Sequence, residues 1–134
     1  MLVNQTNITL VFDTFISSSV SILLNGNQVS FDQSFEKNQY GHVCIDITCK
    51  LADDNVISIV AKDKNPNINL IEIIANDIKF GLVTFLCTTI NGQQHTQLTS
   101  PGNIDIKMST PIWKFWCEKM NGFNYKDYPL GSIN

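Results

Sequence analysis

Val20-Ser21-Ile22-Leu23-Leu24-Asn25-Gly26-Asn27-Gln28-Val29-Ser30-Phe31 is the stretch on which the fold turns. Val20, Ile22 and Leu24 alternate with Ser19 and Ser21, the period of two that places successive side chains on opposite faces of a strand. Asn25-Gly26 interrupts, and Val29 and Phe31 resume the alternation. An Asn-Gly pair accepts positive φ at both central positions of a two-residue turn, so the stretch predicts a β-hairpin.

The same alternation spreads in both directions. Upstream, Ile8, Leu10 and Phe12 alternate with Thr9 and Val11. Downstream, Val43, Ile45, Ile47 and Cys49 share one face while His42, Cys44, Asp46 and Thr48 share the other. Asp53-Asp54-Asn55 breaks that run before a strand from Val56 to Lys62, and residues 63–67 break the next. Leu70 to Ala75 and Ile78 to Phe80 read as one strand with a bulge near Asn76-Asp77. Leu82 to Ile90 reads as another that turns at Asn91-Gly92 and pairs with Gln94 to Thr99; Ile104, Ile106 and Met108 alternate last. Eight to ten short strands with no helix between them argue an all-β fold, an antiparallel β-sandwich of jelly-roll-like form.

The last segment changes period. Thr110-Pro111 supplies a capping side chain and a proline suited to a first helical turn. Ile112, Phe115, Trp116 and Met120 recur at helical spacing, Trp113 and Cys117 lie beside them, and Asn121-Gly122 provides a stop. An extended tail with Phe123, Tyr125 and Tyr128 follows. The expected organisation is a sandwich over 1–109 and a helix with its tail over 110–134, packed on the sandwich or on a partner.

The chain of 134 residues is 43% hydrophobic and 16% charged, with a net charge of −3. All nine basic residues are lysines, and no basic face offers itself to phosphate, which argues against nucleic acid. No apolar run approaches the roughly 18 to 20 residues of a membrane span. The 17 Ile and 15 Asn, with Lys and no Arg, match the codons of an AT-rich genome such as many phages carry. Met1-Leu2-Val3-Asn4-Gln5-Thr6 lacks a charged region leading into an apolar one, so no secretory signal is expected. Cys44, Cys49, Cys87 and Cys117 form no CxxC pair, and Cys44 and Cys49 differ in parity along one strand. Free, largely buried thiols are the expectation, and the Asn-x-Thr matches at Asn4 and Asn7 are discounted with the signal.

Chemistry is thin. The histidines are His42 and His95, the glutamates Glu36, Glu72 and Glu118, and no catalytic motif joins them. His42 and Asp46 share a face but stand roughly 13 Å apart along an extended strand, too far for a dyad. Asp53, Asp54 and Asn55, with Asp63, Asn65 and Asn67, offer oxygen atoms that calcium would accept, but those residue types are also the turn formers. No catalytic residue, cofactor or metal is expected. For sugar, Tyr40 and the polar run Gln93-Gln94-His95-Thr96-Gln97 are the candidates. For a partner chain, Trp113, Trp116, Tyr125 and Tyr128 are the candidate anchors, since buried Trp and Tyr dominate protein interfaces.

Asn55-Val56-Ile57-Ser58-Ile59-Val60-Ala61-Lys62 followed by Leu70 through Gly81 resembles the paired strands of carbohydrate-binding-module jelly rolls, a resemblance running over residues 6 to 90. Similar small sandwiches occur in bacteriophage tails, fibres and capsid decorations. The resemblance implies the fold and a non-enzymatic role. Two functions follow as expectations. The first is a virion structural or accessory protein, made in the host cytoplasm and assembled with itself or other virion proteins through its C-terminal segment. The alternative is a soluble carbohydrate-binding module that takes a polysaccharide.

Overall fold

The computed structural model describes residues 5–17, 19–31, 37–76, 78–80, 87–88, 96–110 and 112–116, with Cys87, Thr88, Trp113 and Trp116 described by their backbone. The strands are β1 (Gln5–Ile16), β2 (Val20–Leu24), β3 (Asn27–Gln28), β4 (Val43–Lys50), β5 (Asp54–Ala61), β6 (Asn67–Ala75), β7 (Ile78–Phe80), β8 (Cys87–Thr88), β9 (Gln97–Leu98) and β10 (Gly102–Ser109). One helix, α1 (Ile112–Trp116), follows them. They form two antiparallel sheets. The first runs β4-β1-β6-β7, with β9 also paired to β6; the second runs β3-β2-β5-β10-β8. This is a β-sandwich.

Strand parity builds the core. In the first sheet Ile47, Ile8 and Ala75 form one inward row, and Ile45, Leu10, Ile73 and Phe80 form the next. In the second, Ile22, Ile59 and Ile104 line up across three strands, beside Leu24, Ile57 and Ile106. All of these are buried except Leu24, which is partly buried against the same cluster. Removing an Ile side chain from water contributes about 2 kcal/mol, and branched side chains suit the pleated surface they stand on.

The Asn25-Gly26 hairpin forms as its sequence demands. Leu24 pairs with Asn27, and the two loop residues hold φ 51 and φ 84. The strand returning from it is short, although Val29 and Phe31 still pack against the core. Asn76 does not mark a bulge. Ala75 pairs with Ile78, so the connection is a two-residue turn in which Asn76 takes φ 48, a conformation asparagine tolerates through its short polar side chain.

Two bulges do occur, and both lie between β1 and β6. Val11 pairs with Glu72, Phe12 with Leu70 and Thr14 with Asn69. Ile71 is therefore the extra residue of one strand and Asp13 the extra residue of the other. Beyond them the offset is the same as before them.

Two sequence expectations on pairing need correction. β5 pairs with β2 and β10 while β6 pairs with β1, so Asn55–Lys62 and Leu70–Phe80 belong to opposite sheets rather than to one pair. Likewise Cys87–Thr88 joins β10, whereas Gln97–Leu98 joins β6. Over their described residues, the strands on either side of Asn91-Gly92 do not pair with each other. In both cases short range in sequence suggested a hairpin where burial of two apolar faces favoured crossing the core.

Helix α1 turns Ile112 and Phe115 into the core, and the Phe115 ring lies 6.0 Å from that of Phe80. Thr110 fastens the approach to the helix, donating its N–H to Asp53 O and its hydroxyl to Ala52 O. Among the described residues no helix is long and apolar enough to cross a membrane.

Candidate functional site

The outer face of the first sheet is largely polar, although Val11 on it is buried. Parity turns Asn7, Thr9 and Val11 of β1 outward, with Cys44, Asp46, Thr48 and Lys50 of β4 and Glu72 and Ile74 of β6 beside them. Short side chains bridge the strands: Thr9 Oγ1 donates to Asp46 Oδ1 at 2.6 Å, and Thr48 Oγ1 donates to Asn7 Oδ1 at 2.9 Å. The Asn7 backbone N–H in turn donates to Asn76 Oδ1 at 3.1 Å.

One end of this face has more to offer. The bulge frees Asp13 from the ladder and leaves it exposed, where it accepts a hydrogen bond from Asn69 Nδ2 at 2.9 Å. Thr96 Oγ1 donates to Asn69 Oδ1 at 3.3 Å, and Gln97 stands opposite Asn69 with its side chain exposed. Asp13, Asn69, Thr96 and Gln97 thus form a polar row across three strands.

Tyr40 stands at the same end, because Val43 pairs with Phe12 and Tyr40 lies on the turn that leads into Val43. That turn is built by one side chain. Asn38 Oδ1 accepts from the N–H groups of Tyr40 and His42, at 2.9 and 3.0 Å. The Asn38 backbone closes the loop with His42 O and the Gly41 N–H, and Gly41 supplies the φ 77 that the turn requires. The outcome is a tyrosine 72% exposed on a loop held by hydrogen bonds among Asn38, Tyr40, Gly41 and His42, with the His42 ring 6.3 Å away. An aromatic so presented loses little entropy on meeting a ligand.

The two sugar candidates of the sequence, Tyr40 and the run ending at Gln97, are therefore brought to one sheet. Gln93, Gln94 and His95 lie outside the described residues, as do Tyr125 and Tyr128. Trp113 and Trp116 lie on α1. The sequence reading missed Asp13 and Asn69, since nothing in strict alternation announces a bulge.

The remaining candidates resolve into structure. Asp46 is taken up by Thr9, four residues along the strand from His42. Asp54 accepts from Ser109 Oγ, Asp63 accepts from Ser17 Oγ, and Asn67 begins β6 instead of ending a loop. Among the described residues no three His, Cys, Asp or Glu gather into a group that could hold a metal. Cys44 and Cys49 are free and on opposite faces, but Cys44 is exposed, which corrects the expectation of burial. Its even parity on an edge strand puts it outward. Partial burial pushes its thiol above the ordinary 9.0, the Asp46 carboxylate adds to this, the Asn38 amide offsets part, and Glu72 adds a little. Burial alone pushes Cys49 up. Neither thiol is poised as a nucleophile.

No protein-family model matches the chain, and no curated protein matches it. Among solved structures, one described as vCBM60 in complex with galactobiose is similar at 13% identity over 77% of this chain and 97% of that one, with a TM-score of 0.41. That is a loose likeness; the sandwich is established by the strand pairing and register themselves.

Proposed function

We propose that this protein is a non-catalytic binding module that takes a saccharide on the outer face of its first sheet, at the end where Tyr40 stands. The observation that carries the reading is the held, exposed Tyr40 ring at the same end of the sheet as the row Asp13, Asn69, Thr96 and Gln97. A pyranose has apolar C–H faces and a polar rim. An aromatic ring receives the first, and carboxylate, carboxamide and hydroxyl groups receive the second. The row crosses strands about 4.8 Å apart, so its reach is that of two or three sugar rings. Electrophoresis of the native protein through gels containing soluble neutral polysaccharides tests the reading. Retardation by at least one glycan is expected, weakened about tenfold by Tyr40→Ala, the loss of roughly 1.4 kcal/mol of contact. A protein retarded by none of them overturns it.

A second reading concerns the C-terminal segment, and Ile112 and Phe115 give it support. They fix α1 against the core, so the chain beyond Trp116 leaves from a fixed place on the sandwich. We propose that residues 110–134 secure the protein in a larger assembly, as a virion component would require, with Trp113, Trp116, Tyr125 and Tyr128 as anchors. Deleting residues 123–134 tests it: a chain that folds but no longer assembles supports the reading, and unchanged association refutes it.

A further inference from the structure

We infer that Asn25 is a modification site guarded by the fold: while the β2–β3 hairpin is closed its side chain stays intact, and once the hairpin opens it loses ammonia and the altered chain closes less well. Asn25 is exposed, and a Cβ on the Gly26 that follows it would meet nothing within 4 Å. In an Asn-Gly pair the next backbone nitrogen approaches the side-chain carbonyl carbon with no Cβ in its way. Water and base have access here, so burial gives no protection.

Protection comes from the way the side chain is held. The Asn25 N–H donates to Val56 O at 2.8 Å, and the Val56 N–H donates to Asn25 Oδ1 at 2.8 Å. The carboxamide oxygen thus stands in for a strand carbonyl and extends the β2–β5 ladder past the Leu24–Ile57 pair. The carboxamide nitrogen donates to Asn55 Oδ1 at 3.2 Å. Closing a ring onto the Gly26 nitrogen presents a face of the carboxamide to it, and that rotation gives up both side-chain bonds.

In the opened chain the reaction needs only water. The Gly26 amide nitrogen gives its proton to base and bonds to Asn25 Cγ. The Cγ–Nδ2 bond breaks, and the nitrogen takes a proton from solvent and leaves as ammonia. Water then opens the cyclic imide at either carbonyl, giving aspartate or, with the Gly26 nitrogen left on Cγ, isoaspartate. Each product weakens the hairpin. Aspartate sets a carboxylate oxygen against Asn55 Oδ1, an acceptor on an acceptor. Asn55 is not free to turn its amide, since its oxygen takes the Ala52 N–H and its nitrogen serves Ala52 O and Met108 O. Isoaspartate lengthens the main chain of the turn and disturbs the Leu24–Asn27 pair that closes it. Chemical change in the opened chain thereby opposes its return.

Incubating the full chain at mildly alkaline pH, folded in buffer and unfolded in urea, tests the inference. Peptide mapping by mass spectrometry follows the replacement of the side-chain amino group by hydroxyl at each site. Asn91-Gly92 and Asn121-Gly122 supply reference rates in the urea sample. In urea Asn25 is expected to keep pace with those two. In the folded chain it is expected to convert at least about tenfold more slowly than in urea, because the hairpin must open first. Asn25→Asp makes one product directly, and its urea midpoint is expected to lie below that of the parent. Conversion as fast in the folded chain as in urea overturns the inference. So does an Asn25→Asp chain as resistant to urea as the parent.

Discussion

Asn25 Nδ2 donates to Oδ1 of Asn55 across 3.2 Å, and that contact locks the β2–β3 hairpin to the start of β5. Both carboxamides are engaged at oxygen and at nitrogen. Asn25 Oδ1 accepts from the Val56 N–H at 2.8 Å, while Asn55 accepts from the Ala52 N–H and donates to Ala52 O and Met108 O. Asn55 is buried, and a buried amide is tolerated where its donors and acceptors all find partners. Three segments of chain meet on this one side chain.

Asn55→Ala should therefore be costly. It removes the Asn55 partner of the Ala52 N–H, of Met108 O and of Ala52 O, the last of which keeps the Thr110 hydroxyl, and a loss of about 1–3 kcal/mol is expected. Urea unfolding should show a lower midpoint with an unchanged slope. A change below about 0.5 kcal/mol would mean that water replaces the amide at no cost.

Gly26 and Gly102 should behave in opposite ways when replaced by alanine. A Cβ at Gly26 would meet nothing within 4 Å, but φ is +84, so the substitution carries a purely conformational cost of about 1–2 kcal/mol. At Gly102 the nearest atom would be Leu98 Cδ2 at 3.6 Å, an ordinary contact, and φ is not in the left-handed region. Gly102→Ala is expected to be neutral or slightly stabilising, through fewer unfolded conformations. Thermal unfolding of the two variants side by side measures the contrast.

In the core, Ile59 is fully buried between Ile22 and Ile104 on a central strand. Ile59→Ala should destabilise by about 2–5 kcal/mol, the range for a large cavity in a well-packed site. Ile59→Val, one methylene smaller, should cost about 0.5–1.5 kcal/mol. Chemical denaturation gives both values.

The thiols predict a pH dependence. In the folded chain Cys44 and Cys49 hold their protons above the ordinary 9.0, so below that value neither state ionises and nothing changes. Above it the unfolded chain loses protons that the folded chain keeps, which favours unfolding. Stability should be level up to about pH 8 and fall as pH rises through 9. Replacing both residues with alanine should flatten that fall. In peptide mapping at pH 8, Cys44 should alkylate more slowly than a free thiol despite its exposure.

What the sequence disclosed of this fold follows from where local rules suffice. The Asn25-Gly26 turn and the inward rows of β1, β2, β4, β5 and β10 are local, since turn chemistry and parity are written in neighbouring residues. Ile16 shows where parity fails. Counted from Phe12 in steps of two it should point inward, yet it is 63% exposed, while Phe15 packs on the core with its ring 4.9 Å from that of Phe12. Asp13 has shifted the count by one. The same displacement hid half of the candidate site, because Asp13 and Asn69 become neighbours through a bulge that only pairing with β6 creates. Tyr40 was visible as an aromatic without a strand; the Asn38 turn that presents it was not.

The extra residues Asp13 and Ile71 amount to two lattice defects of opposite sign placed next to each other. Each alone would leave one strand a residue ahead of its neighbour for the rest of its length. Together they cancel, and rows on either side resume as though nothing had been inserted. A defect that closes on itself can be reshaped or erased without anything distant having to follow. The outward contour of this sheet is thereby uncoupled from the apolar layer behind it, and the surface is free to diversify while the interior stays the same.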